Sequence, residues 1–152
     1  MINKIDFTTI QAIWREHLWP NRQSSIEPCS ALCYLTGKYD LHNIKHAPTF
    51  FAYEVDGKIA GVNSGHKTVN GGYRSRGLFV FEEFRGQRIG AKLLAATIDQ
   101  ARLEHSFFIW SLPRKTAWTT YEQVGFTLDT DWRESETSDL NAYCHKFIYD
   151  IT

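Results

Sequence analysis

Leu78-Phe79-Val80-Phe81-Glu82-Glu83-Phe84-Arg85-Gly86-Gln87-Arg88-Ile89-Gly90-Ala91-Lys92-Leu93-Leu94 runs from an apolar segment through a basic, glycine-containing turn into a helical pattern. Leu78 to Phe81 is long enough for a buried strand. From Ile89 onward, Ile89, Leu93, Leu94, Ile98 and Ala101 fall on one broad helical face, with Lys92, Asp99 and Arg102 opposite. The first N–H groups of a helix have no partner within it and point outward. The helix dipole adds partial positive charge at the same place. Gly86 and Gly90 leave room for a ligand against the backbone, and Arg85 and Arg88 add formal charge. The turn is therefore a candidate phosphate site. A dinucleotide-binding reading fails because no G-x-G-x-x-G is present, and a Walker loop fails because no Gly-Lys-Ser/Thr follows.

On the N-terminal side of this segment, Thr49-Phe50-Phe51-Ala52-Tyr53-Glu54-Val55 is rich in aromatic and β-branched residues and reads as a strand. Asp56-Gly57 is a strong hairpin turn. Residues 58–67 form the return strand, and Asn70-Gly71-Gly72 turns the chain into a third strand over 73–81. The three make an antiparallel meander that ends at the basic turn. On the C-terminal side, residues 107–112 form an apolar strand closed by Pro113. A strand, helix, strand unit implies parallel neighbours. A helix over 115–124 follows, with Gly125 as its C-cap. The tail reads as strands over 128–134 and 142–149 joined by a polar connection over 135–139. Near the N-terminus, the spacing predicts a helix over 8–19, capped by Thr8 or Thr9 and stopped by Pro20. A short helix over 30–35, ended by Gly37, comes next.

Arg85-Gly86-Gln87-Arg88-Ile89-Gly90 resembles motif A of the GNAT superfamily of acyl-CoA-dependent N-acetyltransferases: Arg or Gln, two residues, Gly, one residue, then Gly or Ala. Arg88 stands where the family more often has Gly, a slot read here as early helix, which Arg tolerates. Ala117, Tyr121, Gly125 and Phe126 match the family's motif B, with Arg114 in place of its Asn. The resemblance covers roughly residues 49–126. It implies an α/β (α+β) GNAT fold: a mixed, mostly antiparallel sheet with a central splayed parallel strand pair and flanking helices. It also implies acetyl-CoA as co-substrate. The backbones of Gln87, Arg88, Ile89, Gly90 and Ala91 would grip the diphosphate, with Arg85 and Gly86 beside them. Phe79 and Val80 would run along the pantetheine arm, with the Val80 N–H as oxyanion donor, and Arg114, Ala117 and Trp118 would complete the cofactor site. Tyr121 is the candidate general acid, and Glu82 or Glu83 the candidate base, with His66 or water as alternatives. The loop after the first helix borders the acceptor in the family, which makes Trp19, Arg22 and Glu27 candidate contacts. Asn63 and His66 on the return strand join them.

The 152 residues, 43% of them hydrophobic, suit one domain over 1–152 with a single core. Lys plus Arg and Asp plus Glu balance at 17 each, so bulk attraction to nucleic acid or anionic lipid is not implied. No apolar run approaches the ~20 residues needed to span a bilayer, and residues 1–6 carry no signal-peptide core. The odd, sparse set Cys29, Cys33 and Cys144 points to reduced thiols and a cytoplasmic setting. Cys29-x3-Cys33 followed by His42-x3-His46 has the look of a zinc series, but the interval is short against the usual ~12 of a finger. No metal is expected.

The leading reading is an N-acetyltransferase acting on a primary amine of a small molecule or a protein, by direct attack in a ternary complex, with a homodimer as one assembly the fold allows. One alternative is a non-catalytic acyl-CoA-binding or protein-interaction module. Another is a GNAT-like modifier of a nucleic-acid base, against which the lack of a basic stripe argues.

Overall fold

The computed structural model describes residues 1–134 and 140–148. Seven strands form one sheet in the order β1 (Ile2–Ile5), β2 (Thr49–Val55), β3 (Lys58–Lys67), β4 (Gly72–Val80), β5 (Phe108–Ser111), β7 (Cys144–Phe147) and β6 (Thr127–Leu128). The hairpin of β2 (Thr49–Val55) and β3 (Lys58–Lys67) has the predicted bounds. β4 (Gly72–Val80) completes the meander and lies parallel to β5 (Phe108–Ser111), the one parallel pair in the sheet. Every other strand pair is antiparallel. β1 (Ile2–Ile5), which the sequence did not signal, adds to the free edge of β2.

Helix α1 (Phe7–Ile13) is capped by Asp6, whose carboxylate accepts the Thr9 N–H at 2.9 Å, rather than by Thr8 or Thr9. It runs into a π-helical turn, Trp14–Leu18, so the predicted single helix over 8–19 is wider at its end. The predicted helix over 30–35 is absent. Those residues turn back on themselves through a bridge between Leu32 and Tyr39, and a 3₁₀ segment, Leu41–Lys45, follows. Helix α2 (Ile89–Leu103) and helix α3 (Trp118–Val124) carry the predicted patterns, with Gly125 closing α3 at φ 104°. In the tail, β6 is only Thr127–Leu128 and β7 is Cys144–Phe147. The predicted connection over 135–139 and the strand end at Tyr149 lie outside the described residues.

Both faces of the sheet are covered. On one side α2 packs on β3 and β4, burying Ile89, Leu93, Leu94, Ile98 and Ala101. An isolated helix of this length is marginal in water. Each fully buried Leu or Ile contributes about 1.5–3 kcal/mol, so packing rather than propensity holds it. On the other side α1 and the π turn pack Ile10, Trp14 and Leu18 against Phe50, Ala52 and Val62. Central strand β3 is therefore buried on both faces.

A bulge in β4 separates two registers: Ser64 faces Arg76, but Val62 faces Phe79. Gly77 supplies the extra residue at φ 81°. Its carbonyl accepts the Trp14 indole N–H at 2.8 Å, and a Cβ there would drive into the Trp14 ring. The bulge flips the alternation, so Arg74, Arg76 and Phe79 share the α1 face while Tyr73, Leu78 and Val80 share the α2 face.

Candidate active site

The parallel ladder joins Gly72, Tyr73 and Arg74 to Phe108, Ile109 and Trp110, and then stops. β4 runs on to Val80 beside β3, while β5 ends at Ser111, whose hydroxyl donates to the Ser75 carbonyl at 2.8 Å. Past that tie the strands diverge. The Phe81 N–H bonds to the Ala60 carbonyl at 2.9 Å, so strand alternation turns the Val80 N–H the other way, into the gap. A cavity of about 600 Å³ opens there. Phe79 and Val80 form its strand wall; Arg85, Gly86, Arg88, Ile89, Gly90 and Ala91 border its basic end; and Ala117 with Arg114 lies at the other. Gln87 and Trp118, both expected, do not border it. Gln87 is exposed, and Trp118 meets Trp132 edge-on, with ring centroids 6.2 Å apart.

Arg88 is not early helix. It caps α2 from the left-handed region, at φ 60° and ψ 21°, which explains why Gly suits the slot better. No side chain caps this terminus. Lys92 N–H reaches the Arg88 carbonyl at 3.1 Å, leaving the amides of Ile89, Gly90 and Ala91 without intrahelical acceptors. Arg85 folds back: its Nε donates to the Val80 carbonyl at 3.0 Å and its guanidinium lies 5.9 Å from the Phe79 ring centre.

A second cavity, about 430 Å³, lies beyond the gap. Trp19, Arg22, Arg74, Arg76, Tyr121 and Tyr143 are among the residues around it. The two cavities share Leu18, Leu78, Arg114 and Ala117 as walls. Arg114 donates from Nη2 to the Leu18 carbonyl, bridging α3's approach to the π turn. Tyr121 is buried against the smaller cavity, and burial raises its phenol pKa well above the ordinary value, with the Ser111 hydroxyl acting against the shift. The phenol therefore stays protonated at neutral pH.

Several expected site residues lie elsewhere. Glu82 and Glu83 sit on a 3₁₀ turn after β4; both are exposed and neither borders a cavity just described. The chain has already left the strand at Phe81, so alternation no longer aims them inward. His66 is fully buried against the 30–46 loop. The Ser30 N–H donates to its Nε2 at 3.3 Å, and its Nδ1 lies 2.9 Å from the Lys67 carbonyl. Burial pulls its pKa down to about 3, so it is neutral and structural. Asn63 points at α2, donating to Ser75 and Thr97 hydroxyls at 2.9 Å each. Glu27 accepts from the Ser25 hydroxyl at 2.7 Å, and it is its carbonyl that receives Arg76. Cys29 donates to the His46 carbonyl at 3.2 Å and His42 pairs with Asp40 at 2.8 Å; no cluster of three or more His, Cys, Asp or Glu that could hold a metal occurs among the described residues.

The sequence reading missed Arg74 and Arg76, although two arginines alternating within an otherwise apolar strand were a visible signal. It also missed His17, stacked on Phe79 at 5.6 Å, and Thr116, Thr120 and Gln123 on the far wall of the larger cavity, for which no motif speaks.

The profile of the Acetyltransferase (GNAT) domain matches residues 46–128, which includes the splayed strands, the uncapped helix start and α3. The chain belongs to the GNAT acetyltransferase family. Solved structures share its fold along nearly the whole chain. An aminoglycoside 6'-N-acetyltransferase complexed with coenzyme A superposes with a TM-score of 0.71 at 11% identity, covering 100% of this chain and 99% of that one. An IAA acetyltransferase from Bacillus cereus ATCC 14579 gives 0.68 at 14%, covering 97% and 99%. The ribosomal-protein-S18-alanine N-acetyltransferase from Escherichia coli gives 0.63 at 15%, covering 100% and 96%. Comparison with curated proteins finds no match. No helix among the described residues of this GNAT domain is long and apolar enough to cross a membrane.

Proposed function

We propose that this GNAT domain transfers an acetyl group from acetyl-CoA to a primary amine by direct attack within a ternary complex. The observation that carries the reading is the continuity of three features: three amides opening α2 without intrahelical acceptors, the gap between β4 and β5, and the cavity around Tyr121. The amides of Ile89, Gly90 and Ala91, with Arg88 beside them, suit the diphosphate of the carrier. The open edge of β4 suits the pantetheine arm, and the Val80 N–H suits the carbonyl oxygen of the thioester. Such a donor is typically worth ~3 kcal/mol to an oxyanion.

In this scheme the neutral amine approaches from the smaller cavity and its lone pair attacks the thioester carbon. The C–N bond forms, the C–S bond breaks, and Tyr121 gives its proton to the departing sulfur. The attacking nitrogen loses its proton to water, because the described residues around the smaller cavity include no carboxylate or imidazole. Purified protein with acetyl-CoA and a broad amine panel tests the reading through release of free thiol. Thiol release that depends on an amine supports it. Coenzyme A binding with no turnover on any amine overturns it in favour of an acyl-CoA-binding module, the second reading, for which the missing side-chain base is the specific argument.

A further inference from the structure

Two buried arginines, Arg74 and Arg76, line one wall of the smaller cavity. Arg74 and Arg76 flank Ser75 on β4, so both side chains leave the same face of the sheet. They are 9% and 3% exposed, and both border the smaller cavity but not the larger one. Neither takes part in an ion pair among the described residues. Arg76 donates from Nη1 to the Glu27 carbonyl at 2.7 Å and lies over the Trp14 and Trp19 rings, at 5.0 and 5.3 Å. Arg74 lies 5.1 Å over Trp110, and its buried Nε–H has no acceptor among the described residues.

Indole faces return part of what a cation loses on leaving water, but less than a counter-ion does. Burial lowers the two guanidiniums to about 10 and about 9, so both remain charged at neutral pH. Two charged donor forks facing one cavity match the paired oxygens of a carboxylate or a phosphate. The carrier's own diphosphate does not fill this role, because its candidate site lies at the start of α2, in the cavity that neither arginine borders.

We propose that the acceptor is a small amine bearing an oxyanion, a carboxylate or a phosphate, which Arg74 and Arg76 hold while the amine faces the thioester. The proposal rests on the transferase reading for its chemistry and on the two arginines for its specificity. A cavity of about 430 Å³ falls at the small-molecule end of ligand sites.

The test uses amines in matched pairs: several α-amino acids, each with its decarboxylated amine, and O-phosphoethanolamine with ethanolamine. Acetyl-CoA consumption gives turnover. Tryptophan fluorescence, reported by Trp14, Trp19 and Trp110 against the two guanidiniums, gives binding without acetyl-CoA. The expected result is a carboxylate or phosphate member with kcat/KM ~100-fold above its uncharged partner. Arg74→Met or Arg76→Met should raise that acceptor's KM ~10- to 100-fold and leave the KM for acetyl-CoA within ~2-fold. Arg74→Lys keeps the charge without the fork; partial recovery of KM there supports the proposal even where a Met variant folds poorly. Equal or better use of the uncharged partners overturns the proposal and leaves the transferase standing. Fluorescence binding of an oxyanion-bearing amine without transfer supports the oxyanion site and refutes the transferase reading instead. No fluorescence response to any oxyanion-bearing amine overturns the proposal.

Discussion

Arg88→Gly should make this GNAT domain more stable and worse at holding coenzyme A. Arg88 sits at φ 60° and ψ 21° as the N-cap of α2, with no side-chain cap to compensate. A non-glycine residue in that region is disfavoured by roughly 1–2 kcal/mol. Glycine removes that cost but enlarges the unfolded ensemble by about 0.5–1 kcal/mol. The net gain is about 0.5–1 kcal/mol, or ~1–4 °C in Tm for a domain of this size. The guanidinium borders the cavity at its basic end. Losing one exposed charge-assisted contact to a phosphate should weaken coenzyme A binding ~3- to 10-fold, less at high salt. Arg88→Ala separates the two effects, since it loses the charge while keeping the left-handed cost: affinity falls equally and Tm does not rise. Thermal melts and calorimetric titration of coenzyme A on the three proteins read both quantities. A Tm for Arg88→Gly at or below that of Arg88→Ala refutes the conformational argument, and unchanged affinity in both variants refutes the phosphate role.

Tyr121→Phe should lower kcat ~10-fold or more with coenzyme A affinity retained, because the phenol is held protonated on the wall of the smaller cavity; unchanged kcat between pH 6 and pH 9 in stopped assays removes it from the reaction. His66 stays neutral when folded down to about 3, against 6.5 when free, so only the unfolded chain takes up a proton between those values and stability falls as pH drops below about 6.5. Between pH 7 and pH 5 this costs about 2 kcal/mol, and urea midpoints for His66→Gln should show that much less acid sensitivity; an identical pH slope sinks the assignment. Gly77→Ala puts a Cβ into the Trp14 ring at a positive φ and should destabilise by about 3 kcal/mol or more, measured by urea unfolding; a loss under about 1 kcal/mol would mean the bulge relaxes freely. With the amine deprotonated by water, kcat/KM should climb with pH to a plateau set by the acceptor's own amine, and an acid limb in the carboxylate range in that profile would reveal a side-chain base instead.

Much of this architecture is legible in local chemistry. The run of aromatic and β-branched residues over 49–55 and the Asp56-Gly57 turn fix the first hairpin to the residue. Helix α2 follows from five apolar residues on one face, but its left-handed cap at Arg88, read from the sequence as early helix, does not. Spacing is the same whether that residue opens the helix or precedes it. Asn63 and His66 mislead for a physical reason: β3 is covered on both faces, so alternation along it separates one core from the other and not core from cleft. Glu82 and Glu83 mislead because the strand ends one residue earlier than the apolar run suggests, and a 3₁₀ turn has no two-residue period. Nothing local signals the π-helical turn at Trp14–Leu18, whose first residue, Trp14, makes long-range contacts with Gly77 and Phe50.

The two buried arginines also bear on how this site would manage without a base. An ammonium entering a cavity walled by guanidiniums meets like charge in a poorly hydrated place, and both conditions favour its neutral form. An oxyanion elsewhere on the same molecule removes the objection to binding while leaving the amine end in positive potential. On this proposal the groups that select the acceptor would also lower the barrier to its deprotonation, and a water molecule would suffice to carry the proton away. In the proposed scheme Tyr121 would complete the arrangement at the opposite end of the reaction, where the Arg74 charge eases loss of the phenol proton as negative charge grows on sulfur. Under the proposal, the positive field that holds the substrate's anion would assist both proton movements, so a cavity whose described lining holds neither carboxylate nor imidazole remains compatible with catalysis.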